Sequence, residues 1–241
     1  MVFFIIFLNL LKHMISQTKK KIYLIGTNAQ DISDCTLIAL QKINDSNLLI
    51  LSRKFSKDFI KSINLKDKEI LYEEDLSKIN GESLWRIIFE LLDEHRLISH
   101  LIDGDPFLDS FGEDELFFFN NMKIDCEVVP GIIKAVNCLN KNSKLLTDRN
   151  KNSSVTFMKP FDKNKFKKIT NNNYFEKLLI FLGHKDEYKQ MKLVLYKSKQ
   201  KDKFNLHLPI KNRLRKVNLN FNHKNPENLT FPTYIIIERY E

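Results

Sequence analysis

Cysteine, glycine and proline are scarce in this sequence, and their scarcity excludes several classes of protein. The 241 residues include three cysteines, six glycines and six prolines. Cys35, Cys126 and Cys138 are scattered without a C-x-x-C pair, which argues against a disulfide framework and favours a reducing compartment, the cytoplasm. The six histidines show no H-x-x-H or H-E-x-x-H spacing, so we predict no metal site.

Long apolar runs are also missing. Residues 2–11 are nearly all apolar, but a helix that spans a bilayer needs about 20 such residues. This run has no basic stretch before it and no small-residue cleavage site, unlike a secretory signal peptide. The simplest interpretation is that translation begins at Met14 and that residues 1–13 are dispensable; a weak membrane anchor is the alternative. We therefore expect no stable membrane association.

Acidic residues are outnumbered by basic ones. The chain has 39 Lys and Arg against 30 Asp and Glu, a formal net charge of +9. Such an excess is compatible with a nucleic acid, an acidic membrane or a polyanionic substrate as partner. A bias toward Lys, Asn, Ile and Phe is also typical of AT-rich genomes. Because the lysines are dispersed and not interleaved with aromatic residues, we expect no nucleic-acid partner.

Short β-rich runs alternate with helical patterns in the first half of the chain, which favours a parallel sheet. The predicted strands are residues 21–26, 48–52, 69–72, 98–102 and 126–129, and the clearest helices are residues 82–96 and 113–122. The second half is richer in strands. Those predicted there are residues 154–158, 177–182, 191–196, 204–208 and 233–239.

These patterns predict an α/β protein of two α/β domains, with a parallel-rich N-terminal sheet and a smaller mixed C-terminal sheet. We expect an N-terminal extension over residues 1–19 and an N-terminal domain over residues 20–140. A polar, Lys- and Asn-rich linker over residues 141–153 then leads to a C-terminal domain over residues 154–241.

Two short motifs each end a predicted strand with a tight turn before a helix. They are I-D-G-D-P-F at residues 102–107 and V-V-P-G at residues 128–131. Open α/β sheets bind ligands at such carboxyl strand ends, where glycine admits a close backbone approach and a helix N-terminus favours negative charge. Asp105 is also placed to cap the following helix. Either motif alone is equally consistent with glycine and proline residues in an ordinary loop.

In this order and at this separation, the two motifs resemble the tetrapyrrole methylase family. That family carries G-G-D-P-F, then V-V-P-G, then L-T-H-R followed by S-V. This chain continues the match with L-T-D-R at residues 146–149 and S-V at residues 154–155. Looser matches to the family's opening and closing strands and to its Y-M-G segment occur at residues 22–26, 232–237 and 181–183.

The resemblance implies an S-adenosylmethionine-dependent C-methyltransferase that acts on uroporphyrinogen III or a related tetrapyrrole of the siroheme and cobalamin branch. It also implies a homodimer, with the cofactor between the two domains. The cofactor-binding positions that it implies are Asp103, Gly104, Asp105, Leu108, Ile133, Lys134, Leu182 and Ser198. Arg149 is implied as a guanidinium clamp for substrate carboxylates, and a surface or linker arginine is the alternative.

Several positions depart from the family pattern, so we assign no catalytic residue. Ser52 stands where the family's Y-D-R has its acid, Asp148 stands for the histidine of L-T-H-R, and Glu73 and Glu74 align near a family lysine. The family's F-G-R-G-G-E-E reads D-S-F-G-E-D-E at residues 109–115, without its arginine. A serine cannot act as a carboxylate base near neutral pH.

These departures leave a second hypothesis open, a degenerate relative that binds a tetrapyrrole or a partner protein without catalysis. Methylases of ribosomal RNA and of a modified protein histidine share the fold. The G-D-P-F and V-V-P-G motifs favour the tetrapyrrole branch over both.

Overall fold

The computed structural model of the chain divides into two compact units, between Ile132 and Ile133. It describes residues 20–66, 68–76, 83–148, 154–159, 161–172, 175–198, 203–210, 213–217, 229 and 231–239. The predicted N-terminal extension, Arg149 and the last part of the predicted linker lie outside these residues. No helix within the described ranges has the length and apolar character needed to cross a membrane.

The first unit is a parallel sheet with helices on both faces. Its strands are β1 (Lys21–Thr27), β2 (Leu48–Leu51), β3 (Glu69–Tyr72), β4 (Leu97–Asp103) and β5 (Asp125–Val129). Its helices are α1 (Leu37–Asp45), α2 (Lys57–Ser62), α3 (Glu73–Leu76), α4 (Leu84–Leu91) and α5 (Gly112–Asn121). The strand order is β3-β2-β4-β1-β5, and every described pair is parallel, which confirms the predicted parallel sheet.

Alternate residues of the central strands enter two separate cores, as the period of a β-strand requires. Ile25 and Leu101 pack with α1 and α2 on one face. Leu24 and Ile102 pack with α3, α4 and α5 on the other face. The connection after β1 therefore leaves toward one face and the connection after β4 toward the other. In open α/β sheets this divergence of neighbouring connections marks the place where ligands bind.

The second unit is a mixed sheet that also has helices on both faces. Its strands are β6 (Val155–Met158), β7 (Lys177–Leu182), β8 (Phe204–Ile210), β9 (Arg213–Val217) and β10 (Thr233–Arg239). Its helices are α6 (Lys134–Lys141), α7 (Lys163–Asn172) and α8 (Lys185–Lys197). The strand order is β6-β7-β10-β8-β9, with β6 and β7 parallel and the remaining described pairs antiparallel. The predicted mixed sheet is confirmed, although each described sheet has five strands and the second is not the smaller one.

The division between the units precedes α6, whereas the sequence analysis extended the N-terminal domain to residue 140. The reason is packing, because α6 buries Ala135 and Leu139 against the second sheet. Leu179 and Ile236 on β7 and β10 form the other side of that core. The start of the predicted linker, residue 141, is accordingly the last residue of a packed helix.

The prediction of a strand over residues 191–196 is wrong, since these residues lie within α8. The run M-K-L-V-L-Y is apolar enough for either structure. Tyr188, Met191 and Leu195 are all buried in one core, and their spacing of three and four residues is that of a helix face. The start of α8 is further fixed by Glu187, whose carboxylate accepts from the backbone N–H groups of Gly183 and His184.

Candidate functional site

The central strands β1 and β4 of the first unit are joined at their carboxyl ends, where their connections diverge. The Gly104 N–H donates to the carbonyl of Thr27 at 2.7 Å, beyond the last parallel pair. The Thr27 hydroxyl donates to the carbonyl of Ile102 at 2.8 Å. The predicted ligand-binding motif at residues 102–107 therefore begins at the switch point of the sheet.

Three glycines pack their backbones together at this point. A Cβ on Gly26 would lie 2.3 Å from the Gly131 nitrogen, and a Cβ on Gly131 would lie 2.2 Å from the Gly104 carbonyl oxygen. Gly104 also has a φ of +109°, a conformation that residues with a Cβ rarely adopt. The two sequence motifs thus meet in space, and glycine is required at each of these three positions.

Asp105 ties the two motifs together with its carboxylate. One oxygen accepts from the N–H groups of Phe107 and Leu108 at 3.0 and 3.1 Å, and the other accepts from the Gly131 N–H at 3.3 Å. This corrects the expectation that Asp105 caps the following helix. It caps a turn, because that helix begins only at Gly112.

A second carboxylate, that of Asp109, is buried beneath the same loop with 4% of its surface exposed. It accepts from the Asp105 N–H at 2.6 Å, and a Cβ on Gly104 would lie 2.2 Å from its Oδ2. The N–H groups of residues 105, 107, 108 and 131 are thus bonded to the chain's own carboxylates. This edge of the sheet carries negative charge, so it favours the cationic part of a ligand over an anionic one.

Asp103 connects the loops that follow β1 and β2. Its carboxylate accepts from the Ala29 N–H at 3.0 Å and from Nη1 of Arg53 at 3.0 Å. Its own N–H donates to the Ser52 hydroxyl at 3.3 Å. Ser52, which the sequence analysis aligned with the acid of the family's Y-D-R segment, therefore lies beside the Asp103 backbone of the neighbouring strand.

The other predicted cofactor residues belong to the second unit. Ile133 and Lys134 begin α6, where Ile133 packs on the core beneath that helix. Leu182 ends β7 and is fully buried, and Ser198 follows the last residue of α8. A helix of 13 residues is about 20 Å long, so α8 separates Ser198 from Leu182. The structure does not bring these two residues together.

A buried ionic cluster that sequence reasoning missed lies on the α5 face of the first sheet. Nδ1 of His100 on β4 lies 2.9 Å from Glu115 on α5, and both residues are almost fully buried. Nε2 lies 3.2 Å from Glu73, outside the angles of a hydrogen bond. Burial by itself lowers the pKa of His100, but Glu115 and then Glu73 outweigh it and raise that pKa to about 10. The sign of this cluster in the sequence was His100 itself, a titratable residue within the predicted strand at residues 98–102.

Metal ligands are not clustered in the part of the chain that the structure describes. No group of three or more His, Cys, Asp or Glu side chains there could hold a metal ion. The three thiols are unpaired with one another and half-buried. Burial raises the pKa of each, for Cys126 to about 12, so none is a ready thiolate nucleophile near neutral pH.

The chain is similar to known proteins over most of its length. The sequence profile of the Tetrapyrrole (Corrin/Porphyrin) Methylases matches residues 21–202. A uroporphyrinogen-III C-methyltransferase of Methanocaldococcus jannaschii is 27% identical over 119 residues, which cover 48% of this chain and 49% of that protein. A siroheme synthase of Saccharophagus degradans is 26% identical over 141 residues, which cover 57% of this chain and 31% of that protein. The match spans less than half the length of these relatives.

A solved structure shows the same fold. The uroporphyrin-III C-methyltransferase of Thermus thermophilus, complexed with S-adenosylhomocysteine, superposes with a TM-score of 0.68 at 18% identity. The superposition covers 90% of this chain and 97% of that one. This likeness confirms the predicted fold class.

Proposed function

Because the chain belongs to the tetrapyrrole (corrin/porphyrin) methylase family, we propose that it is an S-adenosylmethionine-dependent C-methyltransferase. Its substrate is uroporphyrinogen III or a related tetrapyrrole of the siroheme and cobalamin branch. The observation that carries this proposal is the meeting of Gly26, Gly104 and Gly131 at the switch point of the parallel sheet. The motifs at residues 102–107 and 128–131 meet there through backbone contacts that require glycine, at the strand ends where open α/β sheets bind ligands.

The residues at this edge fit the cofactor. S-adenosylmethionine supplies an electrophilic methyl group on a cationic sulfonium when it is bound. The Asp105 carboxylate places negative charge at the strand ends, which stabilises a nearby positive charge, whereas the Asp103 carboxylate is already paired with Arg53. Gly104 has no Cβ, so the turn after β4 can lie directly against the Gly131 backbone at the same place. The chain's own contribution is to bind and orient the cofactor here.

The second candidate function, binding without catalysis, is favoured by a different observation. Transfer of a methyl cation to a ring carbon leaves a positive charge on the tetrapyrrole, and loss of a proton from elsewhere in the macrocycle, which requires a base, removes that charge. Ser52 is not a base, and the Asp103 carboxylate beside it is already held by Arg53 and Ala29. Neither residue is therefore assigned as the base.

We also propose how the protein assembles and where in the cell it works. The protein works as a homodimer in the cytoplasm, without a nucleic-acid partner, as the family resemblance and the scattered cysteines suggest. Light scattering on the purified protein tests the assembly directly. A monomer at every accessible concentration would contradict it.

One experiment separates the two functions. The purified protein is incubated without oxygen with uroporphyrinogen III and methyl-labelled S-adenosylmethionine, and the tetrapyrrole product is identified by mass spectrometry. Calorimetric titration with S-adenosylhomocysteine is run in parallel. Label in the tetrapyrrole supports the methyltransferase, and binding without transfer supports the non-catalytic relative. No binding up to millimolar concentration contradicts the cofactor assignment.

A further inference from the structure

Three exposed apolar side chains lie on the loops of the candidate site. Phe107 and Phe111 are on the loop that follows β4, and Ile132 is on the turn that follows β5. Their exposed fractions are 41%, 51% and 40%. Both segments leave the carboxyl ends of parallel strands in the first unit, where open α/β sheets bind ligands. These three side chains form the apolar rim of the site.

Asp105 joins the two parts of the apolar rim. One carboxylate oxygen accepts from the Phe107 N–H at 3.0 Å, and the other accepts from the Gly131 N–H at 3.3 Å. Gly131 directly precedes Ile132. The loop after β4 and the turn after β5 are therefore held against each other by the chain itself, before any ligand binds.

The loop that carries the two phenylalanines is closed at its base. The Gly112 N–H donates to the Pro106 carbonyl at 3.1 Å. This bond joins the peptide group before Phe107 to the peptide group after Phe111, so the backbones of both phenylalanines are fixed close together. Fixing the backbone in advance lowers the entropy that a ligand must overcome on binding.

Acidic groups flank the apolar rim. The Asp105 carboxylate lies between its two parts. The exposed Glu113 and Asp114 stand in the first turn of α5, directly after the closed loop. Arg53 at the same edge is offset by its ion pair with Asp103. Because like charges oppose association, these groups disfavour a ligand carboxylate against the rim.

Phe111 removes a means of binding a carboxylate from the loop. The family segment F-G-R-G-G-E-E has an arginine where this chain has Phe111. A guanidinium binds a carboxylate through two parallel hydrogen bonds, whereas a phenyl ring offers apolar area and no hydrogen-bond donor. Covering that area with an apolar ligand group is favourable, and covering it with a carboxylate is costly. The phenylalanine therefore favours an uncharged ligand group at this position.

We propose that the apolar rim contacts alkyl groups on the periphery of the tetrapyrrole, and that the chain prefers a tetrapyrrole with fewer peripheral carboxylates than uroporphyrinogen III. Phe111 is the residue that determines this specificity. The inference rests on the proposed function and narrows its substrate class. In uroporphyrinogen III every peripheral side chain ends in a carboxylate, whereas coproporphyrinogen III has methyl groups in place of the acetates.

The test compares the affinities for coproporphyrin III and uroporphyrin III, the oxidised and fluorescent forms of these tetrapyrroles, by fluorescence titration. The variants are Phe111→Ala and Phe111→Arg, with Phe117→Ala as the matched control. Phe117 is 69% exposed and lies on α5, beyond the closed loop. Salt at about 0.15 M, where the screening length is about 8 Å, limits the unspecific attraction of a basic chain for the more anionic porphyrin.

Three further measurements are made on each variant. Thermal unfolding confirms that it is folded, and a titration with S-adenosylhomocysteine reports on the cofactor site. Light scattering reports on the assembly, since an exposed apolar surface can also contact a second copy of the chain.

We expect the wild type to bind coproporphyrin III at least about tenfold more tightly than uroporphyrin III, since methyl groups replace carboxylates at the rim. Phe111→Ala should weaken coproporphyrin binding about fivefold or more, because apolar area is lost. Phe111→Arg should strengthen uroporphyrin binding and weaken coproporphyrin binding, so that the preference disappears or reverses. Phe117→Ala should change either affinity less than about twofold, as expected for a residue outside the contact surface.

Four results would overturn the proposal. The first is a wild type that binds neither porphyrin or does not prefer coproporphyrin III. The second is an equal loss of affinity in Phe111→Ala and Phe117→Ala, and the third is an unchanged preference in Phe111→Arg. The fourth is a Phe111→Ala protein whose assembly dissociates while its porphyrin affinity is retained, because the apolar rim would then be a contact between copies of the chain.

The proposed catalysis can fail separately. Methyl transfer to uroporphyrinogen III without the coproporphyrin preference supports the methyltransferase and contradicts the role of the apolar rim. A Phe111-dependent preference without methyl transfer to either porphyrinogen supports the apolar rim and contradicts the methyltransferase.

Discussion

Nδ1 of His100 lies 2.9 Å from each of the two carboxylate oxygens of Glu115, inside the core between β4 and α5. The pair joins the strand that ends at Asp103 to the helix that follows the ligand-binding loop. A charged histidine at this depth persists only because carboxylates face it. The contact between β4 and α5 therefore depends on the charges of both side chains, and its stability changes with pH.

Glu115→Gln should destabilise the first unit by about 3–5 kcal/mol near pH 6, because it leaves the buried imidazolium without its main partner. The pKa of folded His100 is raised to about 10, above the value near 6.5 of an unfolded chain. This stabilisation is thus complete below pH 6.5 and is lost as pH rises through 10. The difference in the free energy of unfolding between wild type and Glu115→Gln should therefore decrease as pH rises from about 6.5 to about 10.

Urea unfolding followed by fluorescence of Trp85 measures this effect, since the chain's single tryptophan lies on α4 of the first unit. Glu113→Gln is the control, an exposed acid in the first turn of the same helix. It should change stability by less than about 0.5 kcal/mol. A Glu115→Gln deficit that stays constant from pH 6 to pH 10 would show that His100 is neutral in the folded protein.

Gly131→Ala should destabilise the protein by roughly 1–3 kcal/mol or more, since backbone cannot move aside as a side chain can. The new Cβ would lie 2.2 Å from the Gly104 carbonyl oxygen and 2.6 Å from the Gly26 Cα. Gly183→Ala is the control, because its Cβ would meet only Glu187 Oε2 at 3.6 Å, an ordinary contact. Thermal unfolding followed by circular dichroism measures the melting temperature of each variant. Equal melting temperatures for Gly131→Ala and Gly183→Ala would contradict the close packing of the three glycines.

Gly104→Val should weaken binding of S-adenosylhomocysteine about tenfold or more, equivalent to roughly 1.4 kcal/mol. The positive φ of Gly104 and the Asp109 carboxylate both oppose a side chain there. Ser52→Ala should leave the affinity nearly unchanged, because its hydroxyl accepts only a long bond of 3.3 Å from the Asp103 N–H. Calorimetry and a melting curve on each variant provide the measurements. Unchanged affinity in a folded Gly104→Val protein would rule out this loop as the cofactor site.

In the second unit, Glu238 on β10 should contribute stability that acid removes. Its carboxylate lies 3.0 Å from His207 Nε2 and 2.9 Å from Nζ of the buried Lys177. These partners, His207 first, lower the pKa of Glu238 to about 2. The stabilisation is therefore present above the ordinary glutamate pKa near 4.3 and is lost as pH falls toward 2.

Glu238→Gln should accordingly speed amide hydrogen exchange in β7 and β10 at pH 7, and the difference should shrink as pH approaches 3. Asp186→Asn serves as the control, since Asp186 is exposed and its ion pair among the described residues is with Lys189, one turn further along the helix. An equal effect of both substitutions would show that the buried Lys177 does not depend on Glu238.

Local sequence was sufficient to predict a strand or a helix wherever the pattern of apolar residues fits one of these two structures and not the other. The apolar runs at β1, β2 and β7 predict buried strands, and residues 69–72, 177–182 and 233–239 are strands with the predicted limits. The motifs at residues 102–107 and 128–131 predict strand ends because glycine and proline terminate regular structure. Periodicity was insufficient at residues 191–196, where a short apolar run suits a strand or a helix and only burial against the second core selects the helix.

The sequence by itself determined the parallel α/β plan, the family and the two motifs of the ligand-binding edge, because each depends on residues that are adjacent along the chain. Only the tertiary structure decided that Gly131 packs on Gly104, that Arg53 pairs with Asp103 and that Glu115 faces His100. These partners come from different strands and helices, so strand order and helix packing set their distances. Charge and steric fit act through such distances, and no local pattern encodes them.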